Sequence, residues 1–194
     1  MGISYPTVRN RLDEVIEADS KQHMVESYLK FLKKMDLKRF DDDKLEIKVD
    51  NRANKRMNNF LDINLDDKYY NKSLIALNTG GTWPSKRWPK EKFAKLADEI
   101  KKDGDQIIFV GGPSDEERVE KIIEMMENKD VINATGKTSL KELAALVKKC
   151  DLVISNDSGP VHVSAAVNIH TITIFGPSDD KKFRPYGYKN KIVK

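Results

Sequence analysis

Apolar positions along the chain change their rhythm near residue 72. Before it they recur in helical stripes. Residues 4–18 (SYPTVRNRLDEVIEA) set Val8, Leu12, Val15 and Ile16 on one side of a helix, and residues 22–35 repeat the spacing with Val25, Tyr28, Leu29, Leu32 and Met35. Leu45, Ile47 and Val49 alternate with Glu46 and Lys48, which reads as a short strand or an extended arm. Residues 51–65 read as another helix, and the acidic run at 41–43 as a solvated loop.

Beyond residue 72 the apolar residues gather into brief runs at 73–77 (SLIAL), 106–110 (QIIFV), 131–133 (VIN), 151–154 (DLVI) and 171–175 (TITIF). Helical patterns fall between them, at 90–102, 114–127, 139–149 and 160–167. Strands covered on both faces are short and continuously apolar, as these are. Right-handed crossovers then wind them into one layer. The expected fold is α/β: a Rossmann-like, doubly wound parallel sheet of about five strands with flanking helices, preceded by a helical N-terminal segment. On this reading the chain comprises an N-terminal helix or fusion remnant (1–19), a linker region with helices and a short strand (20–72) and the sheet domain (73–194).

Open parallel sheets bind ligands outside the carboxyl ends of their strands. The loops that follow the five runs are NTGGTWPSKRWP (78–89), GGPSDEE (111–117), NATGKTSL (133–140), SNDSGPVH (155–162) and GPSDD (176–180), and they hold seven of the ten glycines. That asymmetry predicts one rim built for close approach of backbone to a ligand. In SNDSGPVH, Asp157 or Ser158 suits an N-cap and Pro160 the first helical turn, while Gly159 opens the backbone to a ligand. The amides there could hold a phosphate, or the two polar residues could simply cap the helix. Asp157, being negative, suits a sugar hydroxyl better than a phosphate.

In the first loop Gly80 and Gly81 allow a tight turn, and Lys86 and Arg87 bring two cations before the next helix. A lysine so placed can neutralise a diphosphate and assist its departure, which makes Lys86 the candidate catalytic group. Trp83 and Trp88 could staple the loop to the sheet. ATGKTSL resembles half a phosphate-binding P-loop, but the position that pattern reserves for its first glycine is Val131, so an NTPase reading fails. Thr138 to Leu140 instead read as a helix start beside a base. Asp115 suits a helix cap and Glu116 a ribose hydroxyl. His162 lies one turn into the helix after Gly159, whereas His170 and Cys150 read as structural. No G-x-G-x-x-G run favours a nicotinamide cofactor.

Composition narrows the classes. A net charge of +4 is small for 194 residues and argues against a general nucleic-acid binder. The longest apolar run, Leu143 to Val147, falls far short of the roughly 20 residues of a spanning helix. The opening MGISYPTVRN has no apolar signal core, one cysteine allows no internal disulfide, and three histidines show no metal-ligand spacing. A cytoplasmic chain without a metal site is expected.

Taken together, NTGGTWPSKRWPKEKFAKLADEI, IIFVGGPSDEE, INATGKTSLKELAALVKKCDLVISNDSGPVHVSAA and TITIFGPSD resemble glycosyltransferase family 9, the ADP-heptose:lipopolysaccharide heptosyltransferases, in its C-terminal half. The resemblance implies one half of a GT-B enzyme that is inverting, metal-independent and cofactor-free, with an ADP-sugar as donor substrate. It implies donor contacts at Thr79, Gly80, Gly81, Lys86, Glu116, Thr138, Leu140, Asp157, Ser158, Gly159, Pro160 and His162: Lys86 on the diphosphate, Ser158 to Pro160 as phosphate loop, Asp157 on the sugar, Glu116 on the ribose. It also implies a glycolipid acceptor, bound through an N-terminal domain that is missing here or separate, and peripheral membrane association of the complete enzyme. No stretch of this sequence resembles the acceptor half, so the catalytic base is expected to lie outside it. One alternative stands beside this reading. Residues 2–16 resemble the turn and recognition helix of a helix-turn-helix protein, which would make the chain a non-catalytic, nucleotide-sensing or DNA-linked regulator.

Overall fold

Strand side chains alternate faces, and helices on both sides cover what they present. In the computed structural model, which describes residues 2–3, 15–16, 22–35, 44–69, 71–187 and 189–194, all five apolar runs become strands. They are β1 (Leu74–Asn78), β2 (Gln106–Val110), β3 (Ile132–Asn133), β4 (Leu152–Asn156) and β5 (His170–Ile174). A sixth, β6 (Asn190–Val193), joins at the edge. It escapes the sequence because an edge strand is covered on one face only, and Asn190, Lys191, Ile192 and Val193 make too short an alternation to stand out. Every pairing is parallel and the strand order is β3-β2-β1-β4-β5-β6. The order reverses between β1 and β4, which puts the topological switch point there.

Two apolar cores follow from the alternation. Leu74, Ala76, Ile108 and Val110 face one side, where they meet Met57 and Leu61 of α2 (Asn51–Asn64) and Leu143 to Val147 of α5 (Leu140–Val147). Ile75, Leu77, Ile107 and Phe109 face the other, against Phe93 and Ala97 of α3 (Lys90–Lys102) and Val119 and Ile122 of α4 (Glu116–Met125). Phe93, Phe109 and Met57 are essentially inaccessible, and each such side chain contributes about 1.5–3 kcal/mol. The unit that contains the sheet runs over residues 44–178 and 185–194, so it begins before residue 73. Ala53, Met57 and Leu61 recur every four residues and make α2 a cover of the sheet. Residues 44–50 form no strand, but Ile47 and Val49 pack on the same core while Glu46 and Lys48 are exposed. That is the extended-arm alternative.

The second unit takes in residues 1–43 and 179–184. Its α1 (Met24–Lys34) is capped by His23, whose Nδ1 accepts from the Val25 amide at 3.1 Å. The other ring nitrogen must then carry the proton, and Nε2 donates to the Arg184 carbonyl at 2.6 Å, after the short helix α7 (Asp180–Phe183). Tyr28 and Met35, expected in the apolar stripe of α1, are 50% and 44% exposed. Gly2–Ile3 and Val15–Ile16 pair as two-residue parallel strands. This corrects the helix expected through Val15 and Ile16: two adjacent β-branched residues favour extended backbone. Residues 4–14, including the recognition-helix likeness, lie outside the described residues, as do the acidic residues 41–43.

Candidate functional site

The register levels the ends of three strands: Asn78 pairs with Val110 of β2 and with Ser155 of β4. Their loops enclose a pocket of about 430 Å³, lined chiefly by Asn78, Gly81, Arg87, Asp115, Ser158 and Gly159. It sits at the switch point and falls within the usual range for small-molecule sites, roughly 300–1,000 Å³.

Helix α6 (Gly159–Ala166) starts at this pocket, with Ser158 at its N-cap position. Serine there normally caps through its oxygen. Here the Ser158 side chain makes no capping bond. Its hydroxyl accepts from Asn78 Nδ2 at 2.7 Å and donates to the Asn156 carbonyl at 3.2 Å. Asp157 does not cap either: its Oδ2 accepts from Lys86 Nζ and from Ser178 Oγ, each at 2.6 Å. The side chain of Asp157 is only 5% exposed, and a carboxylate so buried requires such partners. Of the two readings of SNDSGPVH, capping by Asp157 or Ser158 is therefore the one the geometry removes. A Cβ on Gly159 would meet nothing within 4 Å, so the helix start opens into free space.

The loop after β1 is held from several sides. Asn156, fully buried, donates from Nδ2 to the carbonyls of Thr79 (2.8 Å) and Gly80 (3.0 Å) and accepts from the Trp88 amide at 3.0 Å. Arg87 Nε donates to the Gly81 carbonyl at 2.7 Å. Gly176, after β5, lets the loop lie close, since a Cβ there would stand 2.9 Å from the Ser85 carbonyl. Trp88 packs edge-on against Phe93 with ring centres 5.1 Å apart, the structural role expected of it. Trp83 is 65% exposed and staples nothing.

The sequence-derived residues fall into three groups. Gly81, Ser158, Gly159 and Pro160 line the pocket. Thr79 and Gly80 are buried at the end of β1, and a Cβ on Gly80 would lie 2.3 Å from an Asp115 oxygen, so a larger residue there would displace that carboxylate. Lys86 and Asp157 form the ion pair beside them. Glu116, Thr138 and Leu140 gather toward β3. The Glu116 side chain lies across Gly136, whose φ of +71° suits glycine, and Leu140 is 62% exposed at the first turn of α5. Capping there falls to Ser139, which accepts from the Glu142 amide. Asp115 accepts from the Gly112 amide at 3.0 Å within the turn before α4, and at the N-cap position of α4 it makes no side-chain capping bond, which corrects the helix cap expected of it. His162 is half-buried and outside the lining of the pocket. Cys150 is buried, which pushes its thiol up to about 12 and leaves it unreactive.

Sequence reasoning missed Asn78, Asn156, Ser178 and Arg118. The asparagines and Ser178 lay in loops already singled out, where polar types at strand ends were the available signal. Arg118 carried none, being one charge among many in a helical pattern. Among the described residues no three His, Cys, Asp or Glu side chains converge as metal ligands, and no helix is long and apolar enough to cross a membrane.

A parallel sheet in this order, with its pocket at the switch point and an uncapped helix start, has the layout of a nucleotide-binding half. The sequence model described as glycosyltransferase family 9 (heptosyltransferase) matches residues 7–194. The chain belongs to glycosyltransferase family 9. Lipooligosaccharide heptosyltransferase 2 of Campylobacter jejuni is 36% identical over 126 residues, which are 63% of this chain and 40% of that protein. The solved glycosyl transferase family 9 structure from Veillonella parvula superposes with a TM-score of 0.85 at 31% identity, covering 96% of this chain and 54% of that one. The E. coli ADP-heptose lps heptosyltransferase II gives 0.76 at 25%, covering 94% and 57%. This family 9 chain thus spans a little over half the length of these two solved relatives and 40% of the Campylobacter jejuni protein, and it shares the parallel α/β, GT-B-like fold of the solved ones. The match begins at residue 7 and so takes in ten of the fifteen residues likened to a DNA-reading helix, and the regulator alternative has no support.

Proposed function

We propose that this chain is the donor-binding half of a heptosyltransferase that acts in lipopolysaccharide core or related glycan synthesis, with an ADP-linked heptose as donor. The observation that carries the reading is the open start of α6 facing the switch-point pocket in a chain of this family. An E. coli relative bears ADP-heptose in its name. The diphosphate lies over the start of α6 near Arg87 and Lys86, where oriented dipole and cations favour it. The adenosine reaches toward β3, with Glu116 on the ribose and Thr138 to Leu140 beside the base. Asp157, already oriented by Lys86 and Ser178, accepts from a sugar hydroxyl, and His162 stands in the same motif.

The reaction is an inverting displacement without metal or other cofactor. An acceptor hydroxyl oxygen bonds to the anomeric carbon, the bond from that carbon to the diphosphate oxygen breaks, and ADP leaves. Its developing charge is stabilised by Lys86, Arg87 and the helix start. The acceptor proton passes to a base on the opposite face of the sugar, which this reading assigns to a part of the enzyme outside these 194 residues, along with the glycolipid site. The whole enzyme works in the cytoplasm and touches the membrane peripherally to reach its acceptor.

Titration calorimetry with ADP, ADP-heptose and UDP-sugars tests the donor assignment, repeated in EDTA for metal independence. Binding of the adenine ligands alone, unchanged by EDTA, is expected. A folded sample that binds none of them overturns it. Product analysis with a glycolipid acceptor, with and without an added acceptor half, tests the base: transfer is expected only with that half.

A further inference from the structure

Arg118 stands in the first turn of α4, away from the pocket lining, yet its guanidinium serves the loop that carries both cations. Nε donates to the Thr79 carbonyl at 2.8 Å and Nη2 to the Trp88 carbonyl at 2.5 Å. Those are the first and last residues of the span 79–88. One planar fork therefore fixes the distance between the two ends of the loop, a task its rigid donor geometry suits and a single ammonium does not. Among the described residues Arg118 forms no ion pair within 4 Å. Burial lowers its pKa, and the neighbouring Arg87 charge acts in the same direction. The Asp115 and Glu91 charges act the other way, and the two main-chain carbonyls satisfy the buried guanidinium, so its hydrogen bonds go to the two ends of the loop and not to a carboxylate.

We propose that Arg118 is a positioning residue, which clamps the span 79–88 so that Lys86 and Arg87 face a diphosphate at the rim. This deepens the donor-binding reading and rests on it. Asn156 grips the same two ends from β4, accepting from the Trp88 amide and donating to the Thr79 and Gly80 carbonyls. The clamp thus has a neutral jaw at a strand end and a charged jaw on a helix. Losing Arg118 loosens the loop without unfolding the sheet.

The chain has two tryptophans, Trp83 and Trp88, and both lie on this loop, so its order can be read directly. In a Trp83→Phe background, Trp88 is the sole indole. There Arg118→Met is expected to raise acrylamide quenching of Trp88 about twofold and to weaken ADP binding about tenfold, with circular dichroism unchanged. Arg118→Lys, which keeps the charge but not the fork, falls between parent and Arg118→Met on both measures and serves if the methionine variant fails to fold. In a Lys86→Ala, Arg87→Ala background Arg118→Met changes ADP affinity by less than about threefold, because Arg118 acts through the two cations it positions. Parent-like quenching and parent-like ADP affinity in Arg118→Met overturn the proposal. So does an equal loss of affinity in the presence and absence of those two cations. If the parent itself binds no ADP, the donor reading fails, while the quenching comparison still decides whether Arg118 holds the loop.

Discussion

The two ends of one sheet are finished in opposite ways. At the amino end, polar side chains are consumed in closing the structure. Lys101, 7% exposed, donates to Tyr69 Oη at 2.8 Å and to Gln106 Oε1 at 2.6 Å, and its ammonium lies 4.2 Å from the centre of the Tyr69 ring. The Tyr69 hydroxyl in turn donates to Asp130, which Lys68 also holds at 2.7 Å. Asp105 and Asp151 accept from the amides of Ser73 and Leu74, and Asp98 from those of Glu127 and Asn128. At the carboxyl end the N-cap serine of α6 turns away from its helix. The hydroxyls of Thr79 and Thr135 are buried with no hydrogen-bond partner, and five glycines or serines line a cavity. Thr173 within β5 and Asn190 at the amino end of β6 also bury an unpartnered side-chain atom, so it is the open helix start and the cavity together, and not such atoms alone, that set this rim apart as a candidate ligand site.

Substitutions can break that contrast or sharpen it. The largest effect is expected from Gly159→Leu. Its side chain would project into open space at the start of α6, so the fold should survive while ADP affinity falls by about a hundredfold or more. Calorimetry beside a melting curve separates the two, and near-parent affinity would place the ligand elsewhere. Next comes Lys86→Ala, expected to weaken ADP binding about tenfold, the size of one charge-assisted hydrogen bond. If Asp157 competes with the diphosphate for that lysine, Asp157→Asn should bind ADP at least as tightly as the parent while losing discrimination for ADP-heptose.

At the other end the order of effects reverses. Tyr69→Phe should lower stability by about 1 kcal/mol in urea unfolding, since Lys101 keeps Gln106 and Asp130 keeps Lys68, and it should leave ADP affinity within about twofold. A matching loss of affinity would show that the two ends are coupled. The smallest effect concerns acid. The Lys68 ammonium, then the Tyr69 hydroxyl, hold the Asp130 carboxyl below its ordinary value of 3.8. Its contribution is therefore complete above that value and disappears as pH falls through the lower folded value. Asp130→Asn should flatten the acid limb of the stability profile below about pH 4 and leave the neutral range nearly unchanged, as unfolding midpoints across pH would show.

Sequence alone determined what depends on local pattern. Runs such as QIIFV and DLVI read as covered strands, α3 begins and ends where its stripe does, and seven glycines clustered after strands announced which rim would hold the pocket. Ser158, Gly159 and Gly81 at the pocket were legible for the same reason: their types are needed wherever backbone meets a ligand. Tertiary structure decided what depends on distant partners. That Lys86 pairs with Asp157, seventy-one positions away, follows from β1 and β4 being neighbours, which no local pattern encodes. That Ser158 faces Asn78 instead of its own helix, and that Arg118 reaches from α4 to both ends of one loop, are likewise consequences of strand order and helix placement. The edge strand β6 and the docking of α2 belong with them, because a short or weakly patterned segment acquires its structure from the surface it joins.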